Sequence, residues 1–399
     1  MHRIRKEKVS DVKNTPLSPC AAGRIDVEFL ILCVLLILFG TVMNYSASSV
    51  YAEQMYGDKT YFLVRYIFFA LMSMAATAPF VLLGTKEFWW RFARGVYFVA
   101  IGMLLLVLVI GTVGGGAQRW LKLGPITVQP SEVAKLAVVM MLARFLAENE
   151  KKVTAKGKGS FVYGVLMPGG IVGAIGLLVA LEKHISGLMI LGMIGVAVML
   201  LGGTRMKWIL LIAGVVVLAG SGLILVSEYA QTRVNTWLHI DTVDPLGEAW
   251  QTLQGLYAIG SGGIFGLGLF GSRQKFGYVS QPQNDFVFTI LCEELGLLGA
   301  VGMILLFSLL ILRGFRIAAN ATDRFSSLVV FGLIFKVAIQ TVLNIAVVTN
   351  SMPNTGISLP FFSSGGTSLA LQIFEMGIIL NLSRYSRMID KNKRERKTK

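Results

Sequence analysis

Apolar residues run through this chain in long blocks that lack the regular polar positions of a water-facing helix or sheet. Residues 29–41, 97–112, 161–181 and 188–201 are examples. A helix that crosses a bilayer needs roughly 20 mostly apolar residues. By that measure the pattern predicts ten spans and an all-α polytopic membrane protein. The short alternating segments of a membrane β-barrel are absent from the sequence, as are polar linkers that would divide it into soluble domains. Residues 1–25 read as an N-terminal tail, 26–383 as one ten-helix membrane domain and 384–399 as a basic C-terminal tail. The largest gap between spans, about 227–283, is expected to form an outer loop between helices seven and eight.

Charge sharpens this picture. A net charge of +15 would suggest nucleic acid, but the lysines and arginines gather at both termini and in every second loop. That is the positive-inside pattern, reinforced by anionic headgroups, so both termini are expected to be cytoplasmic and no nucleic-acid partner is implied. Cys20, Cys33 and Cys292 are scattered and odd in number, which implies neither a disulfide framework nor a metal knot. The N-terminal tail has no apolar core of the kind a cleavable signal carries, so the first span is expected to direct insertion itself.

Ionisable residues inside spans are costly and face protein or water. The stretch QPQNDFVFTILCEELG, residues 281–296, holds the densest set. Pro282, Asn284 and Asp285 read as a helix start, and Glu293 and Glu294 lie inside that helix. At 3.6 residues per turn Asp285, Thr289 and Glu293 would fall within about 40° of one another. Span nine carries Lys336, Gln340 and Asn344 at i, i+4 and i+8. A lone cation at that depth asks for a carboxylate, and Glu293 or Glu294 is the natural candidate. Glu132 and Lys135, an i,i+3 pair near the outer end of span four, read as an internal salt bridge, as a charge pair lining a cavity, or as both. His184, in the tight turn Glu182-Lys183-His184, reads as a hydrogen-bonded turn residue rather than a metal ligand.

The loops add further candidates. Glycines 114–116 precede Arg119, Trp120 and Lys122, and residues 250–259 read as an interfacial amphipathic helix. Residues 260–271 are glycine-rich but match no phosphate loop and follow no strand. Arg273 and Lys275 are placed to meet an anion. Proline and glycine forbid a simple helix over 349–367, so that backbone must be buried or line a cavity. The interrupted loops also suit the half-helices of inverted-repeat transporters, which keeps a transporter open on physical grounds.

Four segments together carry a resemblance: VQPSEVAKL, LEKHISG, AIGSGGIFGLG with SRQKFGYVSQPQNDFVFTILCEELG, and TGISLPFFSSGGTS. They resemble the SEDS family (shape, elongation, division and sporulation), on its FtsW and SpoVE side rather than its RodA side, over essentially the whole membrane region. The resemblance implies a peptidoglycan glycosyltransferase of the bacterial plasma membrane that polymerises lipid II into a nascent glycan strand at a division or sporulation septum. Its implied partners are a class B penicillin-binding protein, the transpeptidase, and other divisome or sporulation proteins. The alternatives are lipid II transport across the membrane and a non-catalytic scaffold of the division machinery.

The family's essential aspartate falls on Asp285, and the glutamate and lysine of its PSE-x-x-K segment fall on Glu132 and Lys135. In this reading Asp285 deprotonates or orients the acceptor hydroxyl, against the plainer alternative of a helix N-cap. Arg273, Lys275, Arg119 and Lys122 balance pyrophosphate charge. Ser363, Ser364, Gly365 and Gly366 line the cavity beside Glu132 and Lys135, while Glu293, Glu294, Lys336, Gln340, Asn344 and His184 form a structural polar network. A divalent cation, Mg or Mn, could share the neutralising role, though no ligand cluster is visible. The chain departs from the family pattern at Ser364, where tyrosine is usual, at Lys183, where proline is usual, and at Gln283-Asn284, where glutamate-histidine is common.

Overall fold

The computed structural model describes residues 23–385 except 115, 116, 125, 156, 215–221, 223–227, 241, 243, 245, 246 and 248. Helix α1 (Val27–Tyr56) starts where the Asp26 carboxylate accepts from the Phe29 amide at 3.0 Å and stops at Gly57, whose left-handed φ of 72° a side chain would resist. Helices α2 (Tyr61–Leu83) and α3 (Lys86–Ile110) follow. The glycine loop then folds as a three-stranded antiparallel sheet, β1 (Thr112–Gly114), β2 (Ala117–Leu123) and β3 (Ile126–Val128). Alternation in β2 explains it: Leu121 turns inward while its neighbour Lys122 is exposed.

Helix α4 (Pro130–Glu148) opens on a proline, which suits a first turn that needs no N–H there. Two short helical turns and a π-helical segment (Val162–Leu166) lead into α5 (Met167–Leu181), and α6 (Ile185–Leu201) returns. A helix over 206–214 begins the expected seventh span, most of which lies outside the described residues. Then come α7 (Glu228–Leu238), α8 (Trp250–Ser261), α9 (Val287–Ala319), α10 (Arg324–Val348) and α11 (Gly366–Ser383).

Among the described residues seven helices are long and apolar enough to cross a membrane: α1, α2, α3, the stretch Gly159–Leu181, α9, α10 and α11. This is a polytopic helical membrane protein. Helix α6 is apolar but shorter. Helices α4, α10 and α11 are mostly buried and form the centre of the bundle. The outer helices show broad apolar faces, with Leu71, Leu83, Val109 and Leu177 exposed as lipid-facing residues are.

Helix α9 is two helices in one. Gly296, at φ 65° and ψ −162°, breaks it, and the glycine-rich segment that follows α8 crosses the break. Leu267 N–H donates to the Glu293 carbonyl at 2.9 Å and Gly268 N–H to the Glu294 carbonyl at 3.0 Å. These are the backbone groups the kink would otherwise strand in an apolar setting. A Cβ on Gly266 would lie 2.1 Å from the Glu294 carbonyl oxygen, so the glycines serve backbone-to-backbone approach.

Contacts between loops define the two ends of the bundle. At one end Gly23 N–H meets the Arg384 carbonyl at 2.9 Å, Arg313 pairs with Asp26 at 2.9 Å, and Lys86 pairs with Asp323 at 2.7 Å. At the other end Arg119 donates to the Lys183 carbonyl at 3.1 Å, Ser186 to the Thr355 carbonyl at 2.7 Å, and Thr367 to the Thr127 carbonyl at 2.9 Å. The candidate site lies at this second end.

Candidate active site

Asp285 sits two residues before α9, so the periodic face expected to join it with Thr289 and Glu293 does not reach it. Phe286 takes the N-cap position and no side chain caps the helix, which removes the plain capping reading. The Asp285 backbone is fixed instead: Asn344 Nδ2, from α10, donates to the Asp285 carbonyl at 2.8 Å and to the Ile357 carbonyl at 2.6 Å. One amide side chain thus ties the start of α9 to the loop before α11. The carboxylate is half-buried beside the Gly356 backbone, where a Cβ would stand 3.5 Å from Asp285 Oδ2. Burial pushes its pKa up to about 6, against the opposing pull of its own backbone N–H and of the Arg233 charge. Arg233, which no motif in the sequence marks, donates to the Asn354 carbonyl from α7.

Deeper in the bundle, four charges form an alternating row. Lys135 Nζ is 2.6 Å from Glu132, Lys336 is 3.7 Å from the other Glu132 oxygen, and Lys336 reaches both Glu375 oxygens at 2.7 and 2.9 Å. The row is formally neutral and lies on α4, α10 and α11. It corrects one expectation: the partner of Lys336 is Glu375, not Glu293 or Glu294. Glu375 stands alone in the apolar run of α11, and that isolation was the available signal. Beside the row, Gln340, Ser363, Gln372 and Glu132 line a cavity of about 20 Å³, room for one water. Ser363 Oγ accepts from the Leu359 amide at 2.8 Å. Gly365 and Gly366 begin α11, and a Cβ on Gly366 would strike the Phe69 ring at 2.5 Å, so its smallness serves packing against α2.

Glu293 and Glu294 are buried behind the break in α9. Glu293 accepts from Ser272 Oγ at 2.5 Å and from the Arg273 amide at 2.9 Å. Glu294 takes Lys275 Nζ at 2.9 Å and Ser46 Oγ at 2.6 Å. Lys275 is therefore a buried tether of the crossing loop, and its expected role at an anionic surface does not fit: a cation at that depth needs the nearby carboxylate. The Arg273 side chain is exposed, as is Lys122.

Against the outer end of α4, His184 Nδ1 shares a 3.1 Å hydrogen bond with Ser131 Oγ. Burial, then the Lys135 and Arg119 charges, depress the His184 pKa to about 4, so the ring is neutral at physiological pH. In the same turn burial raises Glu182 to about 7 against the pull of Arg119. Lys183 holds a left-handed φ of 55°. The departures at Ser364 and Gln283-Asn284 prove to be two sides of one contact. Ser364 N–H donates to the Gln283 carbonyl at 2.9 Å, and Ser364 Oγ donates to Asn284 Oδ1 at 2.8 Å. Among the described residues no three His, Cys, Asp or Glu side chains gather as a metal-binding group.

Fold and site together define an integral-membrane helical protein with a carboxylate-bearing polar recess at one end, above a neutral buried ion row. The chain belongs to the Cell cycle protein family of FtsW, RodA and SpoVE, whose family model matches residues 27–388. It is 39% identical over 367 residues to Stage V sporulation protein E of Bacillus subtilis (strain 168), covering 91% of this chain and 98% of that protein. It is 33% identical over 387 residues to the probable peptidoglycan glycosyltransferase FtsW of the same organism, covering 93% of each. A chain of a solved peptidoglycan synthase complex that coordinates polymerization and crosslinking superposes with a TM-score of 0.74 at 26% identity, covering 91% of this chain and 98% of that one. The Thermus thermophilus rod shape determining protein RodA superposes at 0.67 with 24% identity, over 91% of this chain and 98% of that one, a likeness of fold.

Proposed function

We propose that this protein is a peptidoglycan glycosyltransferase of the bacterial plasma membrane, polymerising lipid II into glycan strands on the outer face. Relatives of nearly equal length carry that activity in their names. The observation that carries the mechanism is the Asp285 carboxylate, held half-buried at the mouth by its backbone and spared from capping the helix. A carboxylate raised to about 6 is ionised near neutral pH yet basic enough to accept a proton from an attacking hydroxyl. Pyrophosphate is a competent leaving group once its charge is balanced, so one base suffices and no acid–base pair is needed. A single in-line displacement inverts the donor sugar. Arg233 stands beside the carboxylate, and the exposed Arg273, with Arg119 and Lys122 on the sheet side, supplies cationic surface at the same end.

Ten spans fit this reading: the seven long apolar helices, α4, α6 and the helix that begins at 206. The Gly23–Arg384 contact supports termini on one side, the cytoplasmic side by charge. A class B penicillin-binding protein is the transpeptidase partner, with other division or sporulation proteins around it. The narrow cavity beside the ion row, about 20 Å³, favours chemistry at the mouth over passage of a headgroup through the middle.

The test is reconstitution of the purified chain with its transpeptidase on labelled lipid II. Glycan strands form, and Asp285→Asn abolishes them while folding and partner binding persist. Full polymerisation by that variant would refute the catalytic assignment. Lipid II crossing sealed vesicles without polymer would refute the enzyme reading in favour of transport.

A further inference from the structure

A second cavity lies beside the mouth. It encloses about 210 Å³ between α7, α8 and the loop after α10, and Arg233, Trp237, Gln251, Thr252, Asn350 and Asn354 line it. Its walls are held from several elements at once. Trp237 Nε1 donates to the Asn350 carbonyl at 2.9 Å, Gln251 Nε2 to the Ser280 carbonyl at 3.1 Å, and Arg233 to the Asn354 carbonyl. Asn350 holds a left-handed φ of 54°, a conformation that asparagine tolerates better than most residues.

The lining chemistry narrows the occupant. Apart from Arg233 it carries no charged side chain, so it is poorly matched to a pyrophosphate, which calls for several cations. Carboxamides and hydroxyls offer both donors and acceptors, the complement of ring hydroxyls and an acetamido group. The indole of Trp237 adds a flat apolar surface with a polar edge, suited to a sugar-ring face. The volume lies below the roughly 300 Å³ at which pockets for drug-sized ligands begin, which fits one ring and not two.

Arg233 and Asn354 form part of the pocket wall, and the strand of loop that contains Asn354 continues to Gly356, against Asp285 Oδ2. Arg233, from the same wall, acts on the Asp285 carboxylate through its charge, so the pocket adjoins the base. We infer that this pocket is the subsite for an N-acetylated hexosamine ring, the ring that carries the accepting hydroxyl. The inference rests on the glycosyltransferase reading above and assigns the recognition of the acceptor to α7, α8 and the 350–356 loop.

Saturation-transfer NMR on the detergent-solubilised full chain, with free N-acetylglucosamine as probe and D-alanyl-D-alanine as comparison, tests it. Saturation should reach the acetyl methyl and ring protons of the sugar and not the dipeptide. It should fall at least about threefold, the equivalent of one net hydrogen bond, in Trp237→Leu and Thr252→Val. Gln251→Ala, at a half-buried position, should lower it as well, and thermal unfolding checks that each variant folds. No transfer to the sugar, transfer undiminished from wild type in all three pocket variants, or preferential transfer to the dipeptide overturns the inference. Polymerisation by Asp285→Asn with sugar binding intact would instead strike the catalytic reading and leave the pocket standing.

Discussion

Replacing Asp285 with asparagine should stabilise the fold while it destroys activity. The carboxylate titrates near 6 instead of its ordinary 3.8 because burial disfavours its charge. A folded pKa above the unfolded one means the folded chain binds the extra proton between those values. The charged group therefore lowers stability above pH 6, and that penalty fades as pH falls toward 4. A shift of about two units corresponds to about 3 kcal/mol at pH 8. Asparagine keeps the shape and carries no charge, so Asp285→Asn should unfold later than wild type at pH 8, by up to that amount, and equally at pH 4. Denaturation in mixed micelles across this range measures the difference, and polymerisation of labelled lipid II measures the loss of function. Wild-type activity should fall as pH drops through about 6, as the base becomes protonated. A variant no more stable at pH 8, or a stability gap that ignores pH, would refute the reasoning.

Two further outcomes follow, one from the buried ion row and one from the backbone at Lys183. Lys336→Met leaves Glu375 and Glu132 with Lys135 as the one cation of the row, and should cost about 3–5 kcal/mol. Adding Glu375→Met restores neutrality and should recover most of it, so a double variant as unstable as the single, by thermal unfolding in detergent, would sink this account. Lys183→Pro, which restores the residue usual in the family, should destabilise by about 1–3 kcal/mol, since proline cannot reach a φ of 55°. Lys183→Gly should be neutral or stabilising in the same melt.

Much of the architecture was legible in the sequence, because an apolar block some 20 residues long has few other uses and the basic loops mark one side. The position of Asp285 was equally legible, yet its freedom was not. The Pro282–Asp285 run mimics a helix start, and only the onset of α9 at Val287 shows that the carboxylate caps nothing. The partner of Lys336 was misread because any carboxylate at the right depth satisfies a lone cation, and sequence distance says nothing about which helix supplies it. Glu293 and Glu294 were misplaced for a related reason. Gly296 breaks the helix just beyond them, and the glycine-rich crossing loop, not α10, supplies their partners Ser272 and Lys275. The sheet over 112–128 was obscured by its glycines, although the alternation in AQRWLKL was present to be read.

The neutral ion row has a consequence for how the chain reaches its fold. Lys336 leaves the ribosome before Glu375, and a charged side chain alone at the centre of a helix disfavours insertion by about 2.5–3.5 kcal/mol. Until α11 is synthesised, the cation on α10 has Glu132 as its nearest compensation, and that carboxylate is already shared with Lys135. Helix α11 is thus the one that balances the centre of the bundle, and a chain truncated before it would hold an uncompensated cation in the membrane. Synthesis of α11 is therefore what completes the charge balance on which the centre of the bundle depends.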